Sequence, residues 1–369
     1  MEPKEIHAWE IPGYIKVDKE LRDLIRNNLK NNYGSFRKAV SSLKLCSDYH
    51  HRLLDKYHKK SETLFKLIDG AKIPRNLVEK HIISWKDSKR DLPKGGYKIK
   101  FPIKINPIHT RIISHLIGDG NISINDTWVQ KDVEPLEKLL KKLLKANLEK
   151  RKVRRGTEVI TIPKFFNKLF SKIFNIHLEG KFDKKILIKK CLELPREHRI
   201  QVLTAIIEDE GNANGYNISI RMKDKEVMKI VKELIDSLGY DGGNLFKQNQ
   251  KSGYSNKIGT IHGIVINVLG TKKYIEDLEK MEKKFGTEIG LWTKKEKAKK
   301  ITKLRELISG KERNKKLEKQ IFKNDEKVNF NEIKKNLELT DNETMSVLRY
   351  MLNTNKIKRI NRGVYTKIR

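Results

Sequence analysis

The chain has 369 residues, 37% of them hydrophobic and 35% charged, which is enough apolar content for folded cores and too polar for a membrane protein. At roughly 100–200 residues per domain that is two to four domains. Lysine and arginine number 81 against 47 aspartates and glutamates, a formal net charge of +34. Thermal adaptation raises Glu together with Lys in ion-pair networks, so this one-sided excess points instead to a polyanionic partner neutralised by Lys and Arg.

No run of about 18 apolar residues occurs, so no transmembrane helix and no membrane partner are expected. The segment MEPKEIHAWEIPGYIKVDKE has early acids and no apolar stretch of the signal-peptide kind, so a cytoplasmic location is expected. Cys46 and Cys191 are too few for a disulfide framework or a structural zinc site.

Residues 1–90 are expected to form a helical domain. Gly34–Ser35 opens a segment with Phe36, Val40 and Leu43 at helical spacing. After a short turn, Ser47 suits the N-cap of a helix over DYHHRLLDKYH, and Ser61 and Gly70 bracket a further helix. Arg52, Lys56, Lys59 and Lys60 make the second of these basic, which suggests a helix-turn-helix reading DNA; an ordinary helical bundle fits the same pattern. Residues 91–107, with three prolines and two glycines, read as a linker ending in an extended arm.

Between 108 and 290 the chain repeats itself. HTRIISHLIGDGNISI and RIQVLTAIIEDEGNANGYNISI each run an apolar helix into an acid, a glycine, an asparagine and a strand. A basic helix, a strand-like stretch and a further helix follow in both. One supersecondary unit is therefore duplicated, over 108–197 and 198–290. Residues 291–325 read as a lysine-rich helical connector. In 326–369, two helices, the second with Thr340 as N-cap and Glu343 completing a capping box, precede KRINRGVYTKIR, a hairpin turning at Gly363. That order suggests a winged helix, with a plain helical tail as the alternative.

The repeated acids are Asp119 and Glu210. Each ends a helix, where the macrodipole disfavours a carboxylate by a few tenths to about 1 kcal/mol. If the two helices pair, the two anions also repel. A divalent cation with oxygen ligands reverses both terms. Spacing alone leaves this open against ordinary helix-end acids before C-cap glycines. Small residues, Ser114 and Gly118 in one helix and Ala205 in the other, permit close helix approach. On NISIRMK, Ile218, Ile220 and Met222 alternate with Asn217, Ser219 and Arg221; the second set either contacts nucleic acid or is merely solvated.

IISHLIGDG (112–120) and LTAIIEDEG (203–211) resemble the two motifs of single-chain LAGLIDADG homing endonucleases, over about half of the chain. The resemblance implies an α+β fold: a duplicated αββαββα core, flanked here by an N-terminal helix-turn-helix-like domain and a C-terminal winged-helix-like domain. It implies a monomer with an internal pseudo-two-fold, whose sheets form a basic saddle on double-stranded DNA. Asp119 and Glu210 fall on the metal-binding position and imply Mg²⁺ or Mn²⁺. Gly120 and Gly211 follow them, and Ser114 and Ala205 fall on the small third position. The seventh position is Gly118 in one copy and Asp209 in the other, a departure from the usual small residue. Relatives carry a basic residue beside the attacking water, for which Lys257 is the candidate by location; Arg154 is a second basic candidate, taken as a DNA contact together with Arg52, Lys56 and Lys59. The implied activity is site-specific, metal-dependent hydrolysis of DNA phosphodiesters. Two other functions fit the same residues: a non-cleaving DNA-binding regulator, and an RNA maturase or processing factor.

Overall fold

The computed structural model describes residues 5–45, 54–88, 95–118, 120–121, 127–130, 133–146, 148, 150–153, 156–174, 184–214, 217–251, 258–299, 313–323, 325–337, 339 and 341–368. The fold is α+β, with helices accompanied by several small antiparallel sheets. The chain forms two compact units, Met1–Glu210 with Met281–Trp292, and Gly211–Lys280 with Thr293–Arg369.

The first unit opens with β1 (Glu5–Ile6), β2 (Tyr14–Val17), α1 (Lys19–Tyr33), α2 (Phe36–Ser42), β3 (Lys59–Lys60), α3 (Ser61–Gly70), α4 (Arg75–Val78), β4 (Ile82–Lys86) and β5 (Ile103–Lys104). Asp18 caps α1 by accepting from Leu21 N at 2.9 Å, and Gly34 ends it at φ +78°. Ser35 caps α2, as its position after the glycine predicts.

The rest of this region departs from an all-helical domain. Strands β3, β2 and β4 form a sheet that buries Ile15, Val17 and Trp85. The expected second basic helix fails over its described part. Residues 54–57 are turn and bend, with Asp55 Oδ1 accepting from Tyr57 N at 2.9 Å, and Lys59–Lys60 pair with Tyr14–Ile15. A side-chain acceptor two residues back and a strand partner both compete with the helix. Ser47 and Arg52 lie outside the described residues. Ser61 does not cap α3; its Oγ accepts from Gly13 N at 3.2 Å. Gly70 serves packing, since a Cβ there would lie 2.7 Å from Leu43 Cδ1. The 95–106 stretch contains no helix, has strand at Ile103–Lys104, and buries Tyr97, Ile99, Ile103 and Ile105.

Next come α5 (Pro107–Ser114), β6 (Gly120–Asn121), β7 (Thr127–Gln130), α6 (Glu134–Leu144), β8 (Lys150–Lys152), β9 (Glu158–Thr161), α7 (Lys164–Phe174), α8 (Lys184–Leu192) and α9 (Arg196–Glu210). The four strands make an antiparallel sheet in the order β6-β7-β9-β8. Helix α6 buries Leu136, Leu139, Leu140 and Leu144, and α7 buries Phe165, Phe166, Leu169 and Phe170, at the spacing of one helix face.

The second unit begins with β10 (Gly211–Asn214), β11 (Asn217–Met222), α10 (Lys225–Ser237), β12 (Phe246–Lys251) and β13 (Ile258–Ile266); α11 (Val268–Phe285) follows and crosses the division between units. Its sheet has the order β10-β11-β13-β12. Ile218, Ile220 and Met222 of β11 are buried, as the alternation predicts.

Further along, α12 (Arg313–Phe322), β14 (Lys327–Asn329), α13 (Phe330–Leu337), α14 (Asp341–Asn353), β15 (Ile357–Asn361) and β16 (Val364–Lys367) surround one core. Gly363, at φ +80°, turns the β15–β16 hairpin, and β14 pairs with β16. Ile321 and Phe322 belong to this core, which therefore begins before residue 326. Thr340 lies outside the described residues.

Leu348, 1% exposed, sits in that core. Leu348→Ala is expected to destabilise it by about 2–5 kcal/mol, seen as a lower urea midpoint for hydrogen-exchange protection of 330–351. Exposed Lys358→Ala should stay within about 0.5 kcal/mol of the parent.

Candidate functional site

Helices α5 and α9 pack together inside the first unit. Asn106 starts α5, accepting from Ile108 N at 3.0 Å and His109 N at 3.3 Å, with Pro107 at the first helical position. Every residue of α5 is buried. Thr110 Oγ1 is hydrogen-bonded to His198 Nδ1 at 2.7 Å, which ties the helices at their N-terminal ends. Ser114 and Ala205 have no exposed surface; the Ser114 hydroxyl donates to Thr110 O at 2.7 Å and so leaves no polar group unmet. Regular α-helix stops at Ser114 and not at the acid. The next turn tightens, with Leu116 N on Ile113 O and Ile117 N on Ser114 O.

The helix ends meet at Gly118 and Asp209. A Cβ on Gly118 would stand 2.4 Å from Asp209 Cβ and 2.5 Å from its Oδ2, so no larger residue fits. Gly120 is equally constrained, since its Cβ would lie 2.3 Å from Leu116 Cα. The Asp209 side chain is fully buried. Its Oδ1 accepts from His115 Nδ1 at 3.0 Å and from Trp128 Nε1 at 3.1 Å. His115 stacks on Trp292 with ring centroids 5.0 Å apart and lies 4.7 Å from the Trp128 ring. The guanidinium of buried Arg111 sits 4.6 Å from the centre of the Trp292 ring. Trp292 N donates to Oε2 of buried Glu208 at 3.2 Å.

Burial first, and the Arg111 charge second, hold His115 well below its ordinary pKa, against the opposing pull of Glu208. A neutral imidazole donates to Asp209 only with its proton on Nδ1. That tautomer leaves Nε2 bare, and Nε2 is buried with no hydrogen-bond partner among the described residues.

Glu210 is the last residue of α9 and is partly exposed. Asp119 lies outside the described residues, as do Lys257, Arg154 and Arg52. Gly120 and Gly211 open the edge strands of their respective sheets, paired with Trp128 and Ile220. Lys56 is exposed, and Lys59 pairs with Asp55 at 2.5 Å. On β11, Arg221 is exposed and Asn217 partly so. Ser219 is only 8% exposed, near Asn212 O at 3.5 Å, and so does not belong to an outward-facing set. Alternation alone predicts exposure there.

Reading the sequence alone passes over His115, Trp128, Trp292 and Lys184, whose Nζ donates to Gly118 O at 2.9 Å. The one signal that pointed there is the acid at a position that the motif keeps small. The reading also passes over the outer strands: Lys150, Arg151 and Lys152 of β8 and Lys247, Gln248 and Asn249 of β12 are all exposed. Elsewhere, Asp18, Glu20 and His81 bring ligand atoms within 4.8 Å of one another. Capping accounts for that group, since Asp18 Oδ1 serves Leu21 N and Oδ2 lies 2.8 Å from His81 Nδ1, at a helix N-terminus that opposes a cation.

No protein-family profile and no curated protein sequence matches the chain. Among solved structures it is similar to the homing endonuclease I-DmoI in complex with DNA and Ca, at 12% identity and a TM-score of 0.32 over 53% of this chain and 97% of that one. It is similar to full-length DUF199/WhiA from Thermatoga maritima, at 12% identity and 0.33 over 67% and 90%. It is also similar to the meganuclease I-SmaMI bound to uncleaveable DNA, at 12% identity and 0.32 over 56% and 90%. Likenesses this distant assign no activity.

Two outcomes follow from the helix pair. Gly118→Ala is expected to destabilise the first unit by about 1–3 kcal/mol through overpacking against Asp209, read as a lower Tm. Burial lowers His109 and His198 to about 4. The unfolded chain therefore binds more protons between about pH 6.5 and 4, and stability present above that window is lost as pH falls through it. Denaturation midpoints at pH 7, 6 and 5 should decline in that order, less so in His198→Gln.

Proposed function

We propose that the protein is a site-specific double-stranded DNA endonuclease on a duplicated LAGLIDADG-type core, with a divalent ion, Mg²⁺ or Mn²⁺, held by Asp119 and Glu210. The carrying observation is the repeated order of elements. From α5 to α7 and from α9 to α11 the chain runs helix, two strands, helix, two strands, helix. In each run the glycine after the acid opens the edge strand of a four-stranded sheet, and strand order is the same in both sheets.

The donor set suits a hard cation. Of the successive acids Glu208, Asp209 and Glu210, the first two turn their carboxylates into the protein, and Glu210 reaches the surface. A bound divalent ion would supply an activated water and neutralise charge on the phosphate. Lys184, bonded to the carbonyl one residue before Asp119, is a better supported basic group than Lys257. The exposed basic and amide side chains of β8 and β12 suit phosphates and base edges, as does Arg221. The helices and hairpin of 313–367 form a winged-helix-like module that adds DNA affinity. The same module favours a second reading, a DNA-binding regulator that does not cleave.

Binding to duplex DNA should weaken steeply with salt, by about 0.9 log units per log unit for each phosphate neutralised. Asp119→Asn and Glu210→Gln should bind as well as the parent or better without metal, because each removes an anion near phosphate. With Mg²⁺ or Mn²⁺, either variant should lose nearly all cleavage of a plasmid library while binding persists. A parent that grips one sequence and leaves it intact with both metals over hours establishes the regulator instead.

A further inference from the structure

The geometry points to Asp209 as a positioning residue: with His115, Trp128 and Trp292 it forms a buried polar lock that fixes where α9 ends, and therefore where Glu210 stands. Its effect on catalysis rests on the nuclease reading above; the lock itself does not.

Close helix pairing needs small residues at the contact, and at its C-terminal end only one side has one. Gly118 supplies the hole, and Asp209 fills it, with its Cβ and Oδ2 within 2.5 Å of the place a Cβ of residue 118 would take. A buried carboxylate is costly unless donors meet it. Here two N–H groups converge on one oxygen, His115 from the segment after α5 and Trp128 from β7. Trp292 closes the cluster, stacked on His115 and edge-on to Trp128 at 6.0 Å, while its own Nε1 is anchored on Glu288 O at 2.7 Å. The donors are rigid rings whose orientations are set by each other. Asp209 therefore has one position in which both hydrogen bonds are made, and the following residue inherits it. An apolar filler of the same volume would occupy the hole without fixing rotation of the helix end.

The test uses the full chain with Asp209→Ala, Asp209→Asn and Trp128→Phe. Asparagine keeps an oxygen for Trp128 Nε1; alanine keeps nothing; Trp128→Phe removes one donor and leaves Asp209 and most of the packing in place. Hydrogen exchange should speed at least 10-fold over 112–118 and 205–211 in Asp209→Ala, less in Trp128→Phe and little in Asp209→Asn, with 330–351 unchanged in all. Mn²⁺ affinity and kcat should fall about 10–100-fold in Asp209→Ala, with DNA Kd and KM unmoved, and return to within about 3-fold of the parent in Asp209→Asn. Unchanged exchange in both Asp209→Ala and Trp128→Phe overturns the lock, as does an Asp209→Asn as impaired as Asp209→Ala. If Asp209→Ala does not fold, Trp128→Phe decides the matter by the same exchange measurement. A parent that neither binds Mn²⁺ nor cuts refutes the nuclease reading, and the exchange data still judge the lock.

Discussion

The approach of Gly118 to Asp209 is the constraint on which the first unit depends. Two helix ends come close enough that one side has no side chain at all, and the other presents a carboxylate instead of a methyl group. A carboxylate without donors there would cost several kcal/mol, so the surroundings are committed. His115 must be neutral with its proton toward Asp209, Trp128 must enter β7 with its N–H inward, and Trp292 must return to cover the imidazole. Sheet and helix pair are coupled through one oxygen atom, and the segment after α11 joins them through the stack of Trp292 on His115. Such a cluster specifies an arrangement more than it adds stability, because a fully apolar contact of equal shape would be at least as stable.

Outside that interior, charge is arranged differently. Many acids are taken up by local pairs one helical turn apart, such as Glu62 with Lys66, Glu134 with Lys138 and Asp236 with Lys232. Exposed pairs of this kind add little to stability, since solvent and salt screen them. They consume acids without exhausting the bases, since Lys and Arg outnumber Asp and Glu by 81 to 47. The surplus has no folding role that pairing explains and raises self-repulsion in the compact state. Exposed Arg151 and Lys152 on β8 and Lys247 on β12 place part of it on edge strands, where no neighbouring strand hides it. A polyanion relieves that repulsion on binding.

What was legible in the sequence was local. The helix opening after Gly34–Ser35, the turn at Gly363, the inward set Ile218, Ile220 and Met222, and the acid–glycine–strand succession in each repeat all follow from neighbours a few residues apart. What was not legible depends on distant partners. Strand β3 is two residues long and exists because β2 lies beside it, so the basic stretch around Lys59 read as a helix. Ser61, a good N-cap by type, is drawn to Gly13 N, 48 positions earlier. The Asp209 lock joins residues 94 and 81 positions apart. Only the mismatch between Asp209 and its motif position betrayed it, and a mismatch says that something compensates without saying what.

The acids at the end of α9 show why compensation took this form. Three successive carboxylates at a helix C-terminus repel one another and oppose the macrodipole, each by about 0.3–1 kcal/mol. Glu208 turns to Trp292 N and Asp209 to His115 and Trp128, so the protein supplies N–H donors where the helix supplies none. Those donors are backbone and ring groups that carry no formal charge, and the buried Arg111 guanidinium lies against the same cluster, over the Trp292 ring. Glu210 is therefore the one of the three acids that reaches the surface, where the divalent ion of the proposed function would meet it.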